Sequence, residues 1–228
     1  MSDCREIVID TETTGLNPNT GDRIVEIGCV EIVNKVRTGQ FFHAFVNPER
    51  EVPQEAFRIH GISTEFLKDK PLFKHITKDF LAFIANSNII IHNAAFDIGF
   101  INKELNYTGH MPLQAGRVTD TLLIARRRFP GAPASLDALC RKFNVSLETR
   151  GKHGALIDAE LLAQVYLQLT GNSQGAMNFA NSNVEEKITY NRKNRPARAT
   201  EPLEPLVAQH IEFINKKLKN SIWTKSAS

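Results

Sequence analysis

The run Asn88-Ile-Ile-Ile-His92 constrains this chain more than any other feature. Isoleucine at three consecutive positions puts β-branched apolar groups on both faces of an extended segment, so the run reads as a central strand of a sheet. Three strands are expected before it: Glu6 to Asp10, built on Ile7-Val8-Ile9, then Arg23 to Val33 and Gly39 to Asn47. Their short connections suggest an antiparallel meander. Two short helical pieces, 53–58 and 63–67, lead into a helix from Phe73 to Ile84 with Phe73, Ile76, Phe80, Phe83 and Ile84 on one side. After the isoleucines, helix and strand alternate. A helix is expected from Ala95 to Leu105, a short strand at Val118-Thr119 and a helix running to about Arg128. Ser135 can cap another helix through Phe143, and a last one covers Ala155 to Leu169. Strands first and alternation later specify an α/β domain on a mixed sheet.

The pattern stops near residue 170. Thr170-Gly171-Asn172-Ser173 is a turn cluster, and a polar stretch from Ala180 to Pro202 follows. Helical periodicity returns with Val207, Ile211, Ile214 and Leu218. The expected layout is a body over 1–170, a flexible linker over 171–204 and a C-terminal amphipathic segment over 205–228. Residues 1–179 carry 19 basic and 20 acidic side chains, whereas residues 180–228 carry 9 and 5. The basic excess therefore lies in the tail. The body can still carry a local basic face, and Arg126-Arg127-Arg128 is a candidate, either a solvated helix end or a phosphate contact.

Several classes are excluded or disfavoured. No run of about 18 apolar residues is present, so no membrane association is expected. The polar N-terminus lacks the apolar region of a signal peptide. Three widely spaced cysteines, Cys4, Cys29 and Cys140, with no Cys-x-x-Cys, argue against a disulfide framework or a structural zinc site. Cys140 falls on an apolar helix face and reads as core. The expected location is the cytoplasm.

The chemistry is carried by acids at element ends. Asp10 closes the first strand and Glu12 lies two residues on; if the strand persists, both point to one face. Two bare carboxylates there repel, and a divalent cation removes the conflict. Otherwise Asp10 is expected to cap the turn Thr13-Thr14-Gly15. Asp97 ends His92-Asn93-Ala94-Ala95-Phe96-Asp97, at the carboxyl end of the isoleucine strand, where α/β sheets place their sites; a partner for the helix dipole is the plainer role. His153 and Asp158 lie five residues apart. A helix would put them on different faces, so His153 belongs in a loop freed by Gly151 and Gly154, with Asp158 early in the helix.

Taken together and in order, Asp10-Thr-Glu-Thr-Thr-Gly15, His92-Asn-Ala-Ala-Phe-Asp97 and His153-x4-Asp158 resemble the DEDDh family of 3′–5′ exonucleases over about residues 5–170. Ile59-His60-Gly61-Ile62, Ser135-Leu-Asp-Ala-Leu-Cys140 and Gly154-Ala-Leu-Ile-Asp158 resemble its bacterial proofreading branch. The resemblance implies a ribonuclease H-like fold, a five-stranded mixed sheet flanked by helices. It implies two divalent cations, Mg²⁺ or Mn²⁺, on Asp10, Glu12, Asp97 and Asp158, with Asp10 shared between them. All-oxygen ligands suit such hard ions. His153 is the implied general base, and an imidazole's ordinary titration range suits that task. Asp10, Glu12, Asp158, Glu55, His60 and His92 are the implied substrate contacts. Phe96 can stack a base, but core packing is the expectation.

The implied activity is proofreading of DNA synthesis within a bacterial replicative polymerase, releasing 5′-monophosphates from single-stranded 3′ ends. Gln174-Gly-Ala-Met177-Asn-Phe179 resembles the short motif that inserts two apolar anchors into the sliding clamp. The segment 205–228, ending in Ile222-Trp223, is the implied contact to the polymerase catalytic subunit. Two other readings use the same residues: a free-standing DEDDh nuclease acting on RNA or short oligonucleotides, and a non-catalytic adaptor between clamp and polymerase. A full set of acids with His153 speaks against the adaptor. The tail and clamp-like motif speak against a self-sufficient nuclease.

Overall fold

The computed structural model describes residues 4–147, 153–171 and 212. Chain contacts define a compact unit from Met1 to Asn178 and another from Phe179 to Ser228; the site lies in the first. The clamp-like residues Gln174, Met177 and Phe179 lie outside the described residues, as do the linker beyond Gly171 and, apart from Glu212, the segment 205–228.

Five strands form one sheet: β1 (Arg5–Thr13), β2 (Ile24–Val33), β3 (Val36–Phe45), β4 (Asn88–Ile91) and β5 (Val118–Asp120), in the order β3-β2-β1-β4-β5. β1 pairs antiparallel with β2 and parallel with β4, so the sheet is mixed. The isoleucine strand has neighbours on both sides. Ile89 and Ile91 enter one apolar layer and Ile90 the other, all fully buried.

β3 starts three residues earlier than the sequence suggested. Asn34 and Lys35 both adopt positive φ, 50° and 64°, and close a two-residue hairpin whose twist suits the flanking strands. Gly39, expected to open the strand, stands inside it at φ 82°, where the β2 pairing slips between Val30 and Ile32. It marks a bulge.

Among the described residues up to Gly171, seven α-helices accompany the sheet: α1 (Gln54–His60), α2 (Thr64–Leu67), α3 (Phe73–Ile84), α4 (Ala94–Tyr107), α5 (Thr121–Arg128), α6 (Leu136–Lys142) and α7 (Ala155–Gly171). Ile7 and Ile9 pack with Phe80 of α3 and Phe100 and Ile101 of α4. On the other face Val8 packs with Leu139 of α6 and Leu161, Leu162 and Val165 of α7. Cys140 is fully buried in this second layer, and burial pushes its thiol up to about 11. Arg23 ties α4 to the start of β2 through two bonds to buried Glu104, at 2.6 and 2.9 Å.

The approach of α7 depends on Gly28, which pairs with Asp10. A Cβ there would lie 2.4 Å from the Leu156 nitrogen and 2.5 Å from the Ala155 carbonyl. These are backbone atoms and cannot rotate away. Gly28→Ala should cost about 1–3 kcal/mol as an overpacking defect and push the first turn of α7 from the sheet. The midpoint of denaturant unfolding should shift down; a wild-type midpoint would contradict this packing.

Candidate active site

β1 carries parts of the site on both of its faces. It remains extended through Thr13, so alternation holds across Asp10-Thr11-Glu12. Asp10 and Glu12 share the α7 face with Val8, whereas Thr11 shares the α4 face with Ile9. Asp22 braces the following turn, accepting from Thr14 Oγ1 and from the Asn17 amide at 3.2 and 3.1 Å.

On the first face, α7 begins at Ala155 and holds Asp158 buried in its first turn. His153 precedes the helix, half-exposed, as the five-residue spacing required. Its Nδ1 lies 3.1 Å from Asp158 Oδ2. Donor atoms of Glu12, His153 and Asp158 all lie within 4.8 Å of one another. Two carboxylates held so closely repel, and Asp158 is nearly cut off from water. Their oxygens fit a hard divalent cation, which offsets both costs.

On the second face stands Asp97, buried in the first turn of α4. Thr11 Oγ1 donates to its Oδ1 at 2.7 Å. Burial pushes the Asp97 carboxyl up to about 7, against the stabilising bond from Thr11. The start of α4 is fixed by Asp120 at the end of β5, whose carboxylate accepts from the amides of Asn93 and Ala94, both at 3.1 Å.

A cleft of about 490 Å³ lies along the carboxyl end of β1. Glu12, Leu16, Glu55, Ile59, His60 and Phe96 line it. Glu55 and His60, expected as substrate contacts, thus face the same space as Glu12. His60 Nδ1 accepts from the Ile62 amide at 3.0 Å, which leaves the ring proton on Nε2. Phe96 does two things: it packs, tilted by 50° with ring centroids 5.0 Å apart, against Phe100 of the core, and it lines the cleft. His92 lies elsewhere, in a second groove, with Nδ1 2.9 Å from Thr121 Oγ1. A larger cavity, about 620 Å³ over the 47–54 segment and α2, contains none of the candidate residues. Thr11, Asp22, Gly28 and Asp120 were not foreseen. Only Asp120 had a signal, an acid directly before a helix.

A five-stranded mixed sheet with Glu12, His153 and Asp158 drawn together at the carboxyl end of β1, the histidine just before α7, defines a ribonuclease H-like nuclease of the DEDDh type. The chain belongs to the exonuclease family, whose model matches residues 7–166, and family membership implies dependence on a divalent metal. It is 51% identical over 226 residues to DNA polymerase III subunit epsilon of Rickettsia prowazekii (strain Madrid E), covering 96% of this chain and 99% of the relative. It is 39% identical over 236 residues to DNA polymerase III subunit epsilon of Escherichia coli (strain K12), covering 96% and 97%. Among solved structures, exonuclease X in complex with 5′ overhanging duplex DNA superposes with a TM-score of 0.58 at 28% identity, covering 75% of this chain and 93% of that one. The nuclease domain of 3′hExo, a DEDDh family member bound to rAMP, has a TM-score of 0.63 at 16% identity, covering 74% and 92%; this likeness is one of fold.

The burial of Asp97 has a stability consequence. Its carboxyl titrates near 4 in an unfolded chain and is raised to about 7 here. The folded state therefore binds the proton more tightly, and stability from this group is lost as pH rises between those values. Asp97→Asn removes that loss. In EDTA, the variant's melting temperature should fall less than the wild type's between pH 4 and 7. Parallel melting profiles would show that Asp97 titrates normally.

Proposed function

We propose that this protein is the 3′–5′ exonuclease that proofreads DNA synthesis in a bacterial replicative polymerase, acting in the cytoplasm. It removes mismatched 3′-terminal nucleotides as 5′-monophosphates. The observation that carries this reading is the alignment with DNA polymerase III subunit epsilon over 96% of the chain, tail included.

Asp10, Glu12 and Asp158 would hold one divalent cation, and Asp97 with Asp10 a second, Mg²⁺ or Mn²⁺. Two such ions supply Lewis-acid stabilisation of the attacking and leaving oxygens at phosphorus. The chain's own groups do the rest. His153 takes the proton of the attacking water, and Asp158, at 3.1 Å from Nδ1, orients the ring. Thr11 sets the rotamer of Asp97. Glu55 and His60 address the terminal nucleotide, while Phe96 offers its ring to the base and excludes water. His92 serves the strand beyond the cleft.

The test is a time course on 3′-mismatched and matched primer-templates, with Mg²⁺ and with EDTA. Metal-dependent loss of single nucleotides from the 3′ end, faster at the mismatch, is expected. No release from either primer, or preference for RNA, would overturn the reading.

The tail serves assembly. Gln174, Met177 and Phe179 bind the sliding clamp as a short peptide, weak alone and strengthened when a polymerase tethers both partners. The segment 205–228 holds the polymerase catalytic subunit, with Trp223 as anchor. Met177→Ala with Phe179→Ala should abolish clamp binding and spare hydrolysis of free single strands. Truncation after residue 180 should leave an active nuclease that no longer co-elutes with the polymerase. Unaltered clamp binding by the double variant, or undiminished co-elution of the truncated chain, counts against these roles.

A further inference from the structure

The first turn of α4 separates two cavities. Phe96 lines the acidic cleft on one side. Asn93, three residues earlier, lines the second groove on the other, about 500 Å³ in volume, together with His92, Leu122, Arg126 and Ser135. One helical turn spans only about 5.4 Å, so the groove begins beside Asp97.

Asparagine at the head of a helix ordinarily spends its side chain on capping. Here Asp120 does that work from β5, accepting from the amides of Asn93, Ala94 and Leu122. Asn93 stands in the left-handed region, φ 65°, and its side chain makes no capping bond. The amide is thereby released to the groove, and the negative charge of Asp120 is occupied by three N–H donors. Across the groove stands Arg126 of α5. Among the described residues, neither Arg126 nor Arg127 has a carboxylate within ion-pair distance, whereas Arg128 is spent on the carbonyls of Gln168 and Leu169. Burial holds His92 below the usual histidine range, so it forms a neutral wall. Arg126 is the cation of this groove among its described lining residues.

We propose that Arg126 and the Asn93 amide form a backbone-phosphate subsite for the substrate strand on the 5′ side of the cleft. Single-stranded DNA leaves the acidic site over the first turn of α4 and is gripped in the second groove. The inference rests on the exonuclease function proposed above. A guanidinium with an amide donor matches phosphate oxygens, and the contact is indifferent to base identity, as an enzyme trimming any 3′ end requires.

The test uses the full-length protein with Mg²⁺ on two kinds of substrate. The p-nitrophenyl ester of thymidine 5′-monophosphate fills only the cleft. Oligothymidylates, from the dinucleotide upward, extend past it. In the wild type, kcat/KM should rise with length until the strand spans the groove. In Arg126→Ala, the advantage of the long strand over the ester should shrink about tenfold, through KM. The slope of log kcat/KM against log salt for the long strand should become shallower by about 0.7, the value of one single-strand phosphate contact. Arg126→Lys should restore part of both. A wild-type ratio and slope in Arg126→Ala would overturn the subsite, as would an equal loss on ester and oligonucleotide. A wild-type protein inactive on every substrate would instead overturn the function itself.

Discussion

Asp10→Ala and Asp158→Ala should each lower nucleotide release by roughly three to four orders of magnitude and leave the sheet folded. Both side chains belong to the α7 face of the site, and neither carries the apolar packing of its layer. Val8, Leu161, Leu162 and Val165 do that. Asp158 is buried within reach of Glu12, so its removal relieves a repulsion in the metal-free protein. The thermal midpoint in EDTA should hold or rise while chemistry collapses, the trade-off found where a strained site serves function. Single-turnover release from a labelled strand, with melting followed by circular dichroism, measures both. A folded Asp10→Ala protein within tenfold of the wild-type rate would sink the proposed chemistry.

His153→Ala should cost about 10²–10⁴ in kcat and leave KM for single strands nearly unchanged. The imidazole is half-exposed and contacts Asp158, so its loss should not disturb folding. A base must be neutral to accept a proton. The wild-type rate should therefore fall toward acid pH, and this limb should vanish from the variant's profile. A variant that binds strands poorly yet turns over at the wild-type rate would place His153 in binding instead.

Local pattern made the candidate site's placement legible where it follows the chain. Asp10 and Glu12 could be assigned to one face because a strand alternates, and His153 to a loop because a helix would turn it from Asp158. What was hidden are contacts between residues far apart in sequence. Thr11 meets Asp97 across 86 positions, and Asp120 crosses from β5 to the head of α4. Gly28 looked like any glycine in a strand until α7 lay against it. The hairpin at Asn34-Lys35 was missed because two non-glycine residues take positive φ there, against the usual turn chemistry. His92 was assigned from its neighbours in sequence, yet it faces away from the cleft that holds Glu55 and His60.

β1 also acts as a partition. The layer of Phe80, Phe100 and Ile101 supports Asp97, and the layer of Leu139, Leu162 and Val165 supports Asp158. Each layer can loosen without the other, since the sheet stands between them. Error correction in the cell is then exposed to two separate kinds of inherited fault. A cavity beneath α4 misplaces one carboxylate, and a cavity beneath α7 misplaces another. Bacteria carrying either lesion should share an elevated mutation rate, although the altered residues lie in separate layers of the core.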